Sequence, residues 1–158
     1  MPRIQCMAVE IERKFLVAGD FPCERSVPMV QGYLSRGKER TVRVRTEGER
    51  AVITIKGSTA GISRVEFEYE IPMSDALEMM KLATGSLVKK RRHYHQVGNH
   101  TWEIDVFEGE NAGLVVAEIE LQYEHEEFEK PDWVGAEVTR KLKYANSALS
   151  ENPYSNWD

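Results

Sequence analysis

Ionisable side chains recur two residues apart along this sequence: Glu10, Glu12 and Lys14; Arg43 and Arg45; Glu66 and Glu68; Lys90 and Arg92; Glu103 and Asp105; Glu118 and Glu120. On an extended chain such residues project from one face, about 6.5 to 7 Å apart, and like charges so placed repel unless something neutralises them. Metal cations would stabilise the acidic pairs, and a polyanion the basic ones. Carboxylate oxygens suit Mg²⁺ or Mn²⁺, while the planar fork of arginine and the point charge of lysine suit phosphate. The chemistry implied is that of a metal-phosphate site.

The elements that must position these groups are strands. Period-two alternation predicts them near 8–16, 29–35, 39–46, 50–56, 64–71, 87–96, 101–108 and 114–122. Short turn sequences such as "TEGER", "QVGNH" and "EGENAG" separate several of them and favour antiparallel hairpins. The parity opposite the charges is apolar: Val42 and Val44; Val65, Phe67 and Tyr69; Trp102, Ile104 and Val106; Ala117, Ile119 and Leu121. Helical signals are few. "SDALEMMKLATG" offers Ser74 as an N-cap and Gly85 as a stop, and a second short helix is expected in "YANSALS". Pro131 and Gly135 mark a loop, and "ENPYSNWD" reads as a frayed or lightly docked tail.

Two arrangements satisfy this pattern. Either a conventional sheet holds its charges in water, or eight strands close into a barrel whose charged parity faces inward and whose apolar parity is covered from outside. Solvated faces are usually diluted with Ser, Thr, Asn and Gln, which are sparse here, but alternation alone does not choose between the two.

Length and composition set the bounds. A chain of 158 residues fits one domain, 1–158, with a core large enough to need no disulfide. A net charge of −5 argues against general attraction to nucleic acid or anionic membrane. No apolar run approaches a membrane span and the first dozen residues do not read as a signal peptide, so a cytoplasmic protein is expected. Cys6 and Cys23 form no CxxC pair, and His93, His95 and His100 read as surface residues without zinc spacing.

The residues also resemble a known family. Glu10-Ile11-Glu12-Arg13-Lys14 matches the ExExK signature of the CYTH superfamily, the triphosphate tunnel metalloenzymes. It is followed in order by "QGYL", "VRVR", "TIKG", "EFEYEI", "WEIDVFEG", "AEIEL" and "EVTRKLKYANSAL", so the resemblance covers roughly residues 8 to 150 and is most similar to the short, single-domain bacterial branch. It implies a mainly β fold, a closed eight-stranded antiparallel β tunnel with a charged interior and a few peripheral helices. It thereby selects the inverted barrel.

Carried over position by position, the resemblance implies metal ligation by Glu10, Glu12, Asp105, Glu118 and Glu120. It implies phosphate binding by Lys14, Arg43, Arg45, Lys56, Lys90 and Arg92, with Glu10, Glu12 and Lys90 nearest the chemistry. The run "KKRRHYH" leaves the register of the Lys90 and Arg92 pair open by one residue. The resemblance also implies substrate binding by Lys143, which stands where the family usually has an Arg before its Tyr and keeps the charge without the bidentate fork. Glu66 and Glu68 are expected to align the basic residues by ion pairing. Tyr33 is equally compatible with the tunnel mouth and with packing.

The activity implied is divalent-metal-dependent hydrolysis of a small-molecule triphosphate, inorganic tripolyphosphate first, with Mg²⁺ or Mn²⁺ as cofactor. A class IV adenylyl cyclase, a thiamine triphosphatase and a non-catalytic polyphosphate- or nucleotide-binding module are the alternatives. The sequence is compatible with a homodimer and leaves the oligomeric state open.

Overall fold

The computed structural model describes residues 9–158. Its strands are β1 (Val9–Val17), β2 (Arg25–Ser35), β3 (Arg40–Glu47), β4 (Arg50–Gly57), β5 (Ser63–Ile71), β6 (Thr84–Val97), β7 (His100–Phe107), β8 (Val115–Glu120) and β9 (Val134–Glu137). The sheet runs β5-β4-β3-β2-β6-β7-β8-β1, and β1 returns to β5 through Val9↔Val65, Glu10↔Arg64 and Ile11↔Ser63. Every pairing is antiparallel, so eight strands close into a barrel and remove their own edges.

The ninth strand falls where the sequence reads as a loop. Glu12 to Leu16 give one edge of β1 to β8, while the other edge, held by β5 only as far as Ile11, would be bare beyond that point. β9 fills it by pairing with Phe15 and Val17. Gly135 permits the close approach, since a Cβ there would lie 3.0 Å from the Leu16 carbonyl oxygen.

The barrel is inverted. Glu10, Arg43, Arg45, Glu66, Lys90, Arg92, Asp105 and Glu118 are buried, and so, on the opposite parity, are Trp102, Ile104, Ala117 and Ile119. That apolar face packs outside the barrel against Phe15, Leu121, Trp133 and Val134, with Phe21 and Phe128 alongside. Each large side chain so buried contributes about 1.5–3 kcal/mol, which is what holds the covering segments against the sheet. On another side α1 (Met73–Met80) lies over Val44, Ala51 and Ile71 through Ala76.

Two helix signals read differently in the fold. Pro72, at φ −59°, holds the N-cap position of α1, and Ser74 sits inside the helix. The helix ends at Lys81, and Gly85 belongs to the start of β6. There it adopts φ +72°, and a Cβ would lie 2.5 Å from the Ser150 carbonyl oxygen of α2 (Asn146–Glu151). α2 itself forms within "YANSALS" as expected.

The lumen changes character along its length. Val88 shares a parity with Lys90, Val116 with Glu118, and Phe107 with Asp105, yet these three cluster with Leu114 and with Leu149 of α2. One end of the barrel is therefore stopped by apolar side chains and α2. The C-terminal tail is docked on this stopper: the Trp157 ring meets Tyr144 and Tyr154 at centroid distances of 5.1 Å, and the Tyr154 N–H donates to Asn111 Oδ1 at 2.8 Å. Among the described residues no helix is long and apolar enough to cross a membrane.

Candidate active site

Inside the barrel lies a cavity of about 160 Å³. Its lining includes Glu10, Glu12 and Lys14 from β1, Arg43 and Arg45 from β3, Lys56 from β4, Lys90 and Arg92 from β6, and Glu118 and Glu120 from β8. Tyr33, Arg64, Glu66, Glu68, Glu103 and Asn146 also line it. The register of the basic run is settled: Lys90 and Arg92 are buried, whereas Lys89 and Arg91 are exposed.

The basic groups are held by carboxylates. Arg92 is gripped by both oxygens of Asp105, Nε to Oδ1 at 2.7 Å and Nη2 to Oδ2 at 2.9 Å, and its Nη1 donates to Glu103 at 3.0 Å. Lys90 donates to Asp105 Oδ2 at 2.7 Å and to Asn146 Oδ1 at 3.0 Å. Arg45 is held by Glu47, with Nε to Oε1 at 2.8 Å. Arg43 donates to Thr54, and Glu68 lies 3.8 Å from Arg43 and 3.9 Å from Arg45, which is the aligning geometry expected of Glu68. The buried Nε of Arg43 has no acceptor among the described residues and is placed to meet an anion.

The carboxylates divide into two groups. Glu10 is bound by Lys56 at 3.0 Å and Arg64 at 3.3 Å, and Lys56 also reaches Glu66 at 3.3 Å. Burial pushes Glu10 up, but Lys56, a hydrogen bond with Glu66 and Arg64 together hold it well below the usual carboxylate range. Glu118 behaves alike: burial opposes ionisation, and Lys14, at 3.7 Å, with Arg92 and Lys90 overcomes it. Glu66 is pushed up to about 7 by burial and by Glu10 beside it.

Glu12 and Glu120 form no ion pair among the described residues. Burial, then Glu10 and Glu118, drive Glu12 well above the ordinary range. Surrounding protein, then Glu10 and Glu103, push Glu120 up to about 7, although its side chain still reaches solvent at the rim. Two crowded carboxylates that resist ionisation without a cation are a donor set suited to a hard divalent ion. Among the described residues, however, no three acidic, histidine or cysteine groups gather into a preformed metal cluster. Ammonium groups interleave the acids, Lys56 on Glu10 and Lys14 near Glu118.

Two expected site residues lie elsewhere. Asp105 does not line the cavity; it is 1% exposed behind Lys90 and Arg92, and both its oxygens accept from them. Both of its carboxylate oxygens are thus engaged in aligning Lys90 and Arg92. Lys143 is exposed, outside the cavity, with its ammonium 4.4 Å from the centre of the Trp157 ring. Of the residues sequence reasoning missed, Arg64 was detectable, because it shares the parity of Glu66 and Glu68. Asn146 carried no periodic signal, since it enters from a helix.

Outside the barrel, Cys23 is a free, exposed thiol 3.4 Å from His93 Nδ1, and His95 pairs with Glu24 at 2.7 Å. Cys6 lies outside the described residues.

A closed β barrel that buries a ring of arginines and lysines around crowded carboxylates defines a tunnel for a polyanion. Residues 8–151 match the CYTH domain, and the chain belongs to that family. It is similar to an inorganic triphosphatase of Acetivibrio thermocellus, 46% identical over 96% of this chain and 99% of that one. An inorganic triphosphatase of Nitrosomonas europaea is 38% identical over 89% of this chain and 96% of its own length. The crystal structure of the inorganic triphosphatase NE1496 shares the fold with a TM-score of 0.66 at 33% identity, covering 91% of this chain and 95% of that one.

Proposed function

We propose that this protein is a divalent-metal-dependent triphosphatase that hydrolyses inorganic tripolyphosphate to pyrophosphate and phosphate. The observation that carries the reading is the convergence of Lys14, Arg43, Arg45, Lys56, Lys90 and Arg92 with Glu12 and Glu120 on one cavity of about 160 Å³. Near full-length similarity to two inorganic triphosphatases supports it.

Arg43, Arg45 and Arg92 hold the phosphate chain, their guanidinium planes already fixed by Thr54, Glu47 and Asp105. Lys14, Lys56 and Lys90 offset the charge that develops on the phosphoryl oxygens as the terminal group transfers to water. Lys90 is suited to this: burial draws its ammonium down to about 7 against Asp105, so the group is poorly hydrated and its field is little screened. Water attacks the terminal phosphorus in line, the bridging P–O bond breaks, and pyrophosphate leaves. Glu10 and Glu12 lie beside this path and orient the attacking water. Mg²⁺ or Mn²⁺, held by Glu12 and Glu120 with Glu10 and Glu118 adjacent, would neutralise phosphate oxygens and lower the barrier to attack.

Among the described residues that line the cavity Tyr33 is the sole aromatic, and the predominantly charged lining favours a bare polyphosphate over a purine or a thiamine ring. A panel of tripolyphosphate, ATP, thiamine triphosphate and longer polyphosphate, each with Mg²⁺ and with Mn²⁺, tests the reading. Orthophosphate released fastest from tripolyphosphate is the expected result. Cyclic nucleotide from ATP, or tight binding with no turnover of any substrate, would overturn it.

A further inference from the structure

α2 lines the phosphate cavity with Asn146 and Ser147, and Asn146 makes contacts there that nothing above assigns. Asn146 lines the cavity, and its Oδ1 accepts two hydrogen bonds, from Lys90 Nζ at 3.0 Å and from Gln31 Nε2 at 3.1 Å. An ammonium only donates, so the contact with Lys90 fixes which end of the amide is oxygen. The Nδ2 end is thereby turned from Lys90 and has no protein acceptor among the described residues.

The neighbours show that this contact is built. Lys90 is 1% exposed, and with Asp105 and Asn146 taking two of its three N–H groups, its orientation is set and the third is left for the cavity it lines. Gln31 is fully buried, and its amide nitrogen braces Asn146 while its own Oε1 has no donor among the described residues. Leaving a buried carbonyl unpartnered costs stability, so a polar glutamine at that place is explained by the brace it gives. α2 is fixed from outside by Leu149 in the apolar stopper and by the docked Tyr154 and Trp157. A phosphate chain entering the lumen cannot pass this stopper and meets Asn146 beside it.

We propose that Asn146 is a positioning residue for the terminal phosphoryl group. Its carbonyl orients the Lys90 ammonium, and its amide N–H₂ supplies a neutral donor to a phosphate oxygen at the stoppered end. The inference rests on the tripolyphosphate reading for its substrate, but its binding arm does not require turnover.

Two variants separate the roles. Asn146→Asp keeps an oxygen for Lys90 and Gln31 but loses both N–H donors and places negative charge against the phosphate. Asn146→Ala loses donors and acceptor together. Steady-state kinetics with tripolyphosphate are measured beside calorimetric binding of tripolyphosphate in EDTA, and thermal melting is recorded for each protein. For Asn146→Asp, KM and the metal-free Kd are expected to rise about tenfold or more, with melting within a few degrees of wild type. For Asn146→Ala, kcat is expected to fall about tenfold in addition, because Lys90 is no longer held. Values within twofold of wild type for both variants, or losses that merely follow a lowered melting temperature, would overturn the proposal. If Asn146→Ala fails to fold, Asn146→Asp decides alone. A wild-type protein that binds tripolyphosphate without hydrolysing it would refute the triphosphatase reading and leave the binding comparison as the test of Asn146.

Discussion

Glu12 and Glu120 stand directly opposite each other in the β1–β8 pair, and neither takes part in an ion pair among the described residues. Like charges opposed across a ladder destabilise it, and the partial burial of Glu12 sharpens the repulsion although Glu120 is exposed. The barrel tolerates this because a cation or a proton relieves it, and that makes stability depend on pH and on metal.

The metal-free protein is expected to be most stable near pH 5 and to lose stability towards pH 7.5. Glu66 and Glu120 have folded values of about 7, and Glu12 is also raised. Between the unfolded value near 4.5 and the folded value, the unfolded chain ionises first, so stability falls as pH rises, and for Glu66 and Glu120 the loss continues as pH passes through about 7. Glu10 and Glu118, whose values are depressed, act in the opposite sense but only as pH falls below about 4.5. The charged Lys90 is disfavoured by burial, a cost in full below about 7 that is relieved as pH rises beyond it. Melting curves in EDTA at pH 5 and 7.5, repeated with Mn²⁺, check this. Mn²⁺ should stabilise markedly at pH 7.5 and little at pH 5; a metal-free melting temperature that is flat or rising over that interval would contradict it.

Glu12→Gln should separate stability from activity. Removing one of two crowded carboxylates is expected to raise the metal-free melting temperature at pH 7.5 by a few degrees, as functional sites often hold stability back. Metal-dependent turnover of tripolyphosphate should fall about a hundredfold or more. A parallel loss of both would show that Glu12 is a structural group.

Asp105→Asn tests whether that carboxylate aligns the basic groups or binds metal. It leaves Lys90 buried without its anion and Arg92 with only Glu103 and Glu118, and removing one partner of a buried pair costs about 3–5 kcal/mol. Urea denaturation should record that loss, and KM should rise as the basic groups lose alignment. Mn²⁺ affinity should stay within about threefold of wild type, whereas a metal ligand would lose far more.

Deleting residues 153–158 removes the Tyr154 and Trp157 rings from the stopper while sparing every barrel strand. α2 should then open locally, a sub-global event that does not require the barrel to unfold. Amide exchange is expected to rise across Asn146–Glu151 and kcat to fall about tenfold, with little change in the main melting transition. Unchanged exchange in α2 would show that Leu149 anchors it without help.

The pattern of charges was legible in the sequence because strand geometry is local. Alternation at Arg43 and Arg45, or at Glu118 and Glu120, needs only the pleat, and it located the barrel strands to within a few residues. It could not say which parity faced inward. That was decided by the β1–β5 closure and by Phe15, Phe128 and Trp133 packing over Trp102 from outside, contacts between residues far apart in the chain. Parity also could not divide one face into roles. Asp105 and Glu103 alternate identically, yet Asp105 is consumed by Arg92 and Lys90 while Glu103 reaches the cavity, because shear around the barrel sets which neighbour each one meets.

β9 and Asn146 lay beyond sequence reasoning, and so did the choice between a frayed and a docked tail, for a related cause. Each is defined by what it covers: β9 takes an edge of β1 that β5 leaves, the tail packs on α2, and Asn146 inserts between Gln31 and Lys90. The sequence by itself determined that dense, alternating charge would meet an equally dense apolar face. The tertiary structure alone decided that the charge lies inside, since the free energy of burying the aromatic face depends on surface supplied by segments the local pattern does not contain.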